Sequence, residues 1–312
     1  MSTLLRDLST HARLRLTGVD RVRFLNGLFT NDVAKLAAGA GCHAAMLTVK
    51  GKLVGEGLIL CDADALWLDL PAEVGPAIRA QMEKHLIVDD VTIEDHGADL
   101  DEVLVCGDGA RGALEGLVGR LPDLPLYGHV QIGATRVVAT TDLGLPGYRL
   151  IGGARALAER LAPAARTVDD AEAEVLRIEA GIPRYGVDMG EDHLPIESRL
   201  DDAVSHNKGC YMGQEVIARV TARGHINRKL CGLRLEGDRP SERRAKISGP
   251  GRDDAGAVTS SVVSPRFGAI ALGYVHRSVW APGTTLAIAE AGGTRTATVV
   301  ELPFTASAVF KA

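Results

Sequence analysis

The sequence predicts an α+β protein that ends in a β-barrel, and three observations carry that prediction. Strand-like and helix-like segments alternate without regular βα repetition through the first two thirds of the chain, which points to antiparallel sheets. From about Lys229 onward, short apolar runs separated by turn residues follow one another, the pattern of a small barrel. At 312 residues the chain exceeds what one small core holds, so more than one packed unit is expected. The expected division is a region of two intertwined α+β subdomains over 1–228 and a barrel over 229–312.

Each element has its own local reason. From His11 to Leu16 apolar and charged residues alternate as in a half-buried strand; TGVD supplies a turn, and RVRFLNGLF places Val22, Leu25 and Phe29 at helical spacing. AAMLTVKGKLVGEGLIL reads as two strands joined around Lys50-Gly51-Lys52, where the tip glycine can take a positive φ. ALWLDL is a further strand, and EVGPAIRAQMEKHLI a helix interrupted early by Pro76. Beyond Val103, glycines and prolines crowd together among strand-like pieces (VQIGATRVVAT, GYRLIGG) and the helix-like GGARALAERLAP. VDDAEAEVLRIEAGIPRYG is the best helix, with acids in its first turn, Gly181 as its stop and Pro183 beyond. KLCGLRLEG, AIALGYVH, TTLAIAE and TRTATVVEL supply barrel strands.

Composition removes several functional classes. A formal net charge of -5 and a pI near 6.0 give no global pull toward nucleic acid or an anionic membrane, so neither is expected as a direct partner. Aromatic residues at 4% leave few platforms for stacking bases. The opening MSTLLRDLSTHARLRL is charged throughout and lacks a secretory apolar core, and no apolar run approaches a membrane span. Cys42, Cys61, Cys106, Cys210 and Cys231 are dispersed with no C-x-x-C pair, which indicates a reducing compartment; the expectation is a soluble cytoplasmic protein. No glycine-rich phosphate loop is present, so nucleotide hydrolysis is not supported.

Four features could carry chemistry. In NKGCYMGQEVIARV, Cys210 lies near Lys208, between Gly209 and Gly213 and before a predicted helix start; each feature favours a thiolate. Local chemistry by itself favours a small packing residue, the usual fate of a free cysteine. Glu179 shares a helix face with Val175 and Leu176, so its carboxylate points toward apolar neighbours and needs a partner: Arg184, backbone amides, or the N–H groups of a heterocyclic ligand. His193, His206, Cys210 and His225 fall in one region, but no second close ligand pair accompanies them and a metal is not expected. Arg219, Arg223, Arg228 and Lys229 either form a solvated face or hold an anionic tail.

KGCYMGQE also resembles the K-G-C-Y-x-G-Q-E signature of the YgfZ-type folate-binding proteins, which belong to the aminomethyltransferase (glycine cleavage T-protein) superfamily and are similar to mitochondrial iron-sulfur assembly factors. FLNGLFTNDV looks like the superfamily's F-L-x-G-x-x-T-N-D-V element, VLRIEAGIPRYGVD like its L-R-x-E-A-G helix, and RGHINRKLCGL with ALGYV like the start of its barrel. The resemblance implies a ring of two ferredoxin-like α+β units and a C-terminal β-barrel around a central channel holding tetrahydrofolate or a derivative. It implies that Cys210 is the functional thiol with Lys208 as its partner, and that Gly209, Tyr211, Gly213, Gln214 and Glu215 complete the signature. Glu179 would bind the pterin, with Lys50 and Arg223 assisting. The implied role is that of an accessory factor for iron-sulfur clusters of client enzymes, including those that modify tRNA, with iron-sulfur client or assembly proteins as partners. The alternative is a folate-dependent aminomethyl or one-carbon transferase. Aminomethyltransferases carry an acidic pair where this chain has Gly55 and Glu56 in GKLVGEG, so folate binding is better supported than folate chemistry.

Overall fold

The computed structural model describes residues 2–224 and 226–304, with Arg223 described by its backbone alone. His225 and the side chain of Arg223, both named above, thus lie outside the described residues. Two compact units emerge, Met1–Asp169 with Asp202–Val216, and Asp170–Asp201 with Ile217–Ala312.

The first unit holds β1 (Leu4–Asp7), β2 (Ala12–Thr17), α1 (Arg21–Leu28), β3 (Gly41–Leu47), β4 (Leu53–Cys61), β5 (Leu66–Leu70), α2 (Gly75–His85), β6 (Thr92–Asp95) and β7 (Glu102–Cys106). It continues with α3 (Ala110–Val118), β8 (His129–Ile132), β9 (Thr135–Thr140), β10 (Gly147–Ile151), α4 (Ala154–Leu161) and β11 (Arg166–Thr167). These strands form two sheets, ordered β3-β4-β5-β2-β6 and β11-β1-β7-β10-β9-β8. Except for the parallel β1–β11 pair, the strand pairings are antiparallel. Leu58 and Leu60 of one sheet pack with Val138 and Ile151 of the other.

The strand-like runs read from sequence coincide with β2, β4 and β5; β2 is half-buried, as its alternation requires, whereas β4 and β5 are apolar runs buried on both faces almost throughout. Pro76 needs correction: it lies in the first turn of α2, where no N–H is required of it, so it begins the helix instead of interrupting it. α3 escaped notice because five glycines punctuate GDGARGALEGLVG, yet Ala110 and Leu114 bury its inner face.

The second unit contains α5 (Asp170–Ala180), β12 (Arg228–Leu235), β13 (Lys246–Gly249), β14 (Arg252–Ser264), β15 (Gly268–His276), β16 (Thr285–Glu290) and β17 (Gly293–Val300); the division between the units falls inside α6 (Gln214–Arg223). The six strands close into a barrel in the order β12-β15-β14-β13-β16-β17. Leu233, Ile247, Val258, Val275, Ile288 and Val299 fill its core. On its outside, Ile178 of α5 packs with Leu230, Ile270 and Leu272. The longest strand, β14, carries no strong apolar run, since RDDAGAVTSSVVS keeps one face polar. No helix among the described residues is long and apolar enough to cross a membrane.

A network of buried charges joins the two sheets of the first unit. The Arg13 guanidinium, 1% exposed on β2, forks onto Glu102 of β7 at 2.6 and 3.1 Å and donates to the carbonyls of Leu8, His11 and Leu100. Arg149 of β10 reaches Asp69 of β5 at 2.6 Å, and Asp69 accepts from His11 at 3.0 Å. Burial alone would raise the Asp69 carboxyl, but Arg149 and His11 hold it well below its ordinary range. His11, Asp69 and Glu102 are close enough to suggest a metal site. The guanidinium groups of Arg13 and Arg149 already supply the positive charge there, so these carboxylates act as a bridge between sheets.

Removing one partner of a buried pair strands the other. Arg13→Ala is expected to lower the unfolding free energy by about 3–5 kcal/mol in urea titration, whereas Arg15→Ala, whose pairs with Glu94 and Asp64 are solvent-exposed, is expected to cost about 0–1 kcal/mol.

Candidate functional site

The eight signature residues divide into a frame and a tip. Lys208 is buried, and its ammonium donates to the carbonyls of Asn26 at 2.6 Å, Phe29 at 2.7 Å and Asn31 at 2.7 Å. An ammonium has three hydrogens, so all are committed. They meet the C-terminal end of α1, where free carbonyls favour a cation. The same ammonium lies over the Tyr211 ring at 5.2 Å. Burial lowers the lysine to about 8, and the thiol that its charge influences is Cys42.

Neighbouring backbone completes the frame. Thr30 donates its hydroxyl to the Ala203 carbonyl at 2.5 Å, Ser205 N–H donates to the Thr30 carbonyl, and Met212 N–H donates to the Gly27 carbonyl. Asn31 donates its amide to the carbonyls of His43 and Asp202. The FLNGLFTND segment and the KGCYMGQE segment are thus fastened side by side. Gly213, at φ +81°, has no room for a side chain: an added Cβ would stand 2.5 Å from the Thr48 carbonyl and 3.1 Å from Gly51 Cα. Gly51 itself sits at φ +73° at the β3–β4 tip, against Val216. Gln214 opens α6 and accepts the Tyr211 N–H at 3.3 Å, while Glu215 is exposed in the same turn. Lys50 is exposed on the hairpin tip.

What remains is the tip. Gly209 and Cys210 are exposed, and Cys210 is the exposed member of the five cysteines. Burial pushes the Cys42 and Cys106 thiols up to about 12, that of Cys231 up to about 11, and raises Cys61 as well. The packing alternative for Cys210 is excluded by its exposure. Its pairing with Lys208 is corrected too, because the ammonium is spent on three backbone carbonyls and shapes the loop that carries the thiol.

A second cluster in this unit was not found from sequence. His43 on β3 bonds Glu56 of β4 at 2.7 Å through one ring nitrogen and Asp202 at 3.1 Å through the other, and Tyr127 donates to Asp202 at 3.4 Å. Burial opposes protonation of this ring, but the two carboxylates outweigh it and raise His43 to about 10. Glu56 is therefore the partner of an imidazolium, not a free base. The position before it is closed to an acid, since a Cβ on Gly55 would lie 2.7 Å from Val74 Cβ.

In the second unit Glu179 is 1% exposed, as its helix face predicts. Its partners are not Arg184, which pairs with Glu174 at 3.2 Å. Ser264 donates its hydroxyl at 2.5 Å, and the guanidinium of half-exposed Arg266 pairs with the other oxygen. Neither partner could be read from sequence, because both lie on or just beyond β14, more than 80 residues away.

Comparison with known proteins agrees with this anatomy. Residues 2–145 match the GCVT N-terminal domain and residues 228–305 the glycine cleavage T-protein C-terminal barrel domain. A mitochondrial aminomethyltransferase of Gallus gallus is 30% identical over 96% of this chain and 80% of its own. The tRNA-modifying protein YgfZ of Sodalis glossinidius is 31% identical over 75% of this chain and 72% of its own. The crystal structure of the glycine cleavage system aminomethyltransferase T from Bartonella henselae superposes with a TM-score of 0.88 at 23% identity, covering 97% of this chain and 86% of that one, and shares its fold. The chain belongs to the aminomethyltransferase (glycine cleavage T-protein) superfamily. Its identity to the aminomethyltransferase and to the YgfZ protein is nearly equal.

Two outcomes are expected here. Iodoacetamide labelling followed by peptide mapping should find Cys210 modified first in the native protein, ahead of the four partly or fully buried thiols. The raised His43 pKa stabilises the fold fully below about pH 6.5, and that contribution declines as pH rises through about 10. Subtracting the stability of His43→Gln from that of the native protein at each pH should therefore give a difference that shrinks over this window.

Proposed function

We propose that this protein is a tetrahydrofolate-binding accessory factor in the synthesis or repair of iron-sulfur clusters of client enzymes, tRNA-modifying enzymes among them. The observation that carries the reading is the KGCYMGQE loop, in which Lys208, Tyr211, Gly213 and Gln214 are engaged in packing or hydrogen bonds while Cys210 stands exposed. A loop built so firmly around an accessible thiol supports a functional role for that thiol. The YgfZ relative, itself called tRNA-modifying, supports the same branch. A cytoplasmic setting, iron-sulfur client or assembly proteins as partners, and the ring about a folate channel belong to this reading.

The residues fit a reduced folate. Glu179 is a buried carboxylate able to accept pterin N–H groups, and its ionic partner Arg266 is half-exposed and free to turn to water when a ligand replaces it. Lys50 and Arg223 remain proposed helpers for the anionic end of the ligand. When bound, the folate would supply a one-carbon carrier; the chain's own part is to hold it and to keep Cys210 presented.

The transferase alternative is weaker for a specific reason. An acid at position 55 would collide with Val74, and Glu56 is tied to the His43 imidazolium. General acid–base help is worth about a hundredfold or more, and this chain lacks an unencumbered group for it there.

Ultraviolet difference titration with reduced folate, beside an aminomethyl-transfer assay, tests both readings. Saturable binding without turnover is expected, and Glu179→Ala should weaken it about tenfold or more, since charge-assisted hydrogen bonds are worth about 1.5–3 kcal/mol. Methylenetetrahydrofolate formation at enzymatic rates would instead establish the transferase. Cys210→Ser should retain the fold and folate affinity yet fail to support iron-sulfur enzymes in a complementation assay; full complementation removes the thiol from the function.

A further inference from the structure

The second unit contains a groove that no step above uses. It has a volume of about 700 Å³, and its walls come from the Gly186–His193 segment that follows α5 and from β13, β14 and β15. Such a volume suits a small ligand. Arg243, Arg244, Lys246 and Arg252 all line it.

These four cations differ from most of their neighbours. Elsewhere in the unit Arg177, Arg184, Arg239, Arg266 and Arg295 each pair with a carboxylate. Among the described residues none of the four groove cations has one. Arg243 donates to the carbonyls of Gly186 and Val187 at 2.7 and 2.8 Å, and Arg252 donates to the Asp254 carbonyl at 2.7 Å, contacts that hold the side chains but leave their charge uncompensated. Arg244 occupies the left-handed region at φ +67°, an uncommon place for a side chain of this size, and its N–H is held by the Val258 carbonyl at 2.8 Å. Of the other charged groups on the groove, Arg228 pairs with Glu197 and Asp188 is buried and consumed by Arg177, and the exposed acids Glu191, Asp192 and Asp254 are fewer than the four cations. His276, also on the groove, is held below its ordinary value by desolvation and by the positive charges of Arg252 and Arg277. In a chain with a net charge of -5, an excess of uncompensated cations around one cavity marks a site for anions.

We infer that this groove binds a small polyanion with adjacent phosphoryl groups. Three of the four cations are guanidinium groups, whose planar forks match phosphate oxygens in pairs. Four positive groups around one cavity suit a chain of linked phosphates better than a single monovalent anion. The site is independent of the folate reading, since it uses neither Glu179 nor Cys210.

Isothermal titration calorimetry of the full chain with inorganic triphosphate tests this. Saturable binding with one site per chain is expected, weakening as salt rises. The triple variant Arg244→Ala, Lys246→Ala, Arg252→Ala should lose about tenfold or more in affinity, and Arg239→Ala, outside the groove, should bind as the native protein does. All three substituted side chains are exposed, so circular dichroism should show the fold intact. Absence of saturable binding, or equal binding by the triple variant, overturns the site. Tighter binding of pentaglutamate than of triphosphate overturns the phosphoryl assignment.

Discussion

A charge taken out of water must be matched by an opposite charge or by several hydrogen bonds, and in this chain that constraint decides where distant segments meet. Arg13 can be buried only because Glu102, 89 residues on, arrives from the other sheet. Lys208 can be buried only because α1 ends where three carbonyls face it, across as many as 182 residues of sequence. In the barrel unit Arg177 is matched by Asp188 at 2.7 Å, and both bond the Ser260 hydroxyl of β14. Each match fixes a register that apolar packing alone would leave free to slide, because methyl groups accept many neighbours and a guanidinium accepts few.

The signature loop takes its meaning from that constraint. A lysine two residues from a cysteine suggests, in one dimension, a cation beside a thiolate. In three dimensions the lysine turns inward and ties the loop to the FLNGLFTND turn, and the cysteine turns outward. The two segments that look like family motifs are therefore one structure, with Met212 and Ser205 bonding to Gly27 and Thr30 along the same seam. Together they hold the loop so that the thiol stands in the open.

Legibility followed period and failed with distance. Alternation disclosed β2, and apolar runs between turn residues disclosed β15, β16 and β17, since burial of one face or both writes itself into neighbouring residues. It did not disclose β14, where Ser260 and Ser261, on opposite faces of the strand, serve hydrogen bonds and not packing. It did not disclose α3, where Gly112 and Gly116 have nothing within 4 Å of an added Cβ and cost about 1 kcal/mol each against alanine, so that Leu114 and its core hold the helix instead. In the site, the signature and the inward face of Glu179 were legible. The partners of Glu179 and Lys208, and the whole His43–Glu56–Asp202 cluster, were not, because each partner is supplied by an element remote in sequence.

That last cluster ties β3 and β4 to the segment that carries the signature loop. An aspartate at position 55 would need β4 to stand away from Val74 of the α2 entrance; glycine lets the two close to contact. Beside that tight position the His43 ring settles between Glu56 and Asp202. Asp202 leads directly into the segment that carries Lys208 and Cys210, and Asn31 holds its carbonyl at 3.0 Å. Through Asp202 the His43–Glu56 pair is thus tied to the start of the segment that carries the exposed thiol.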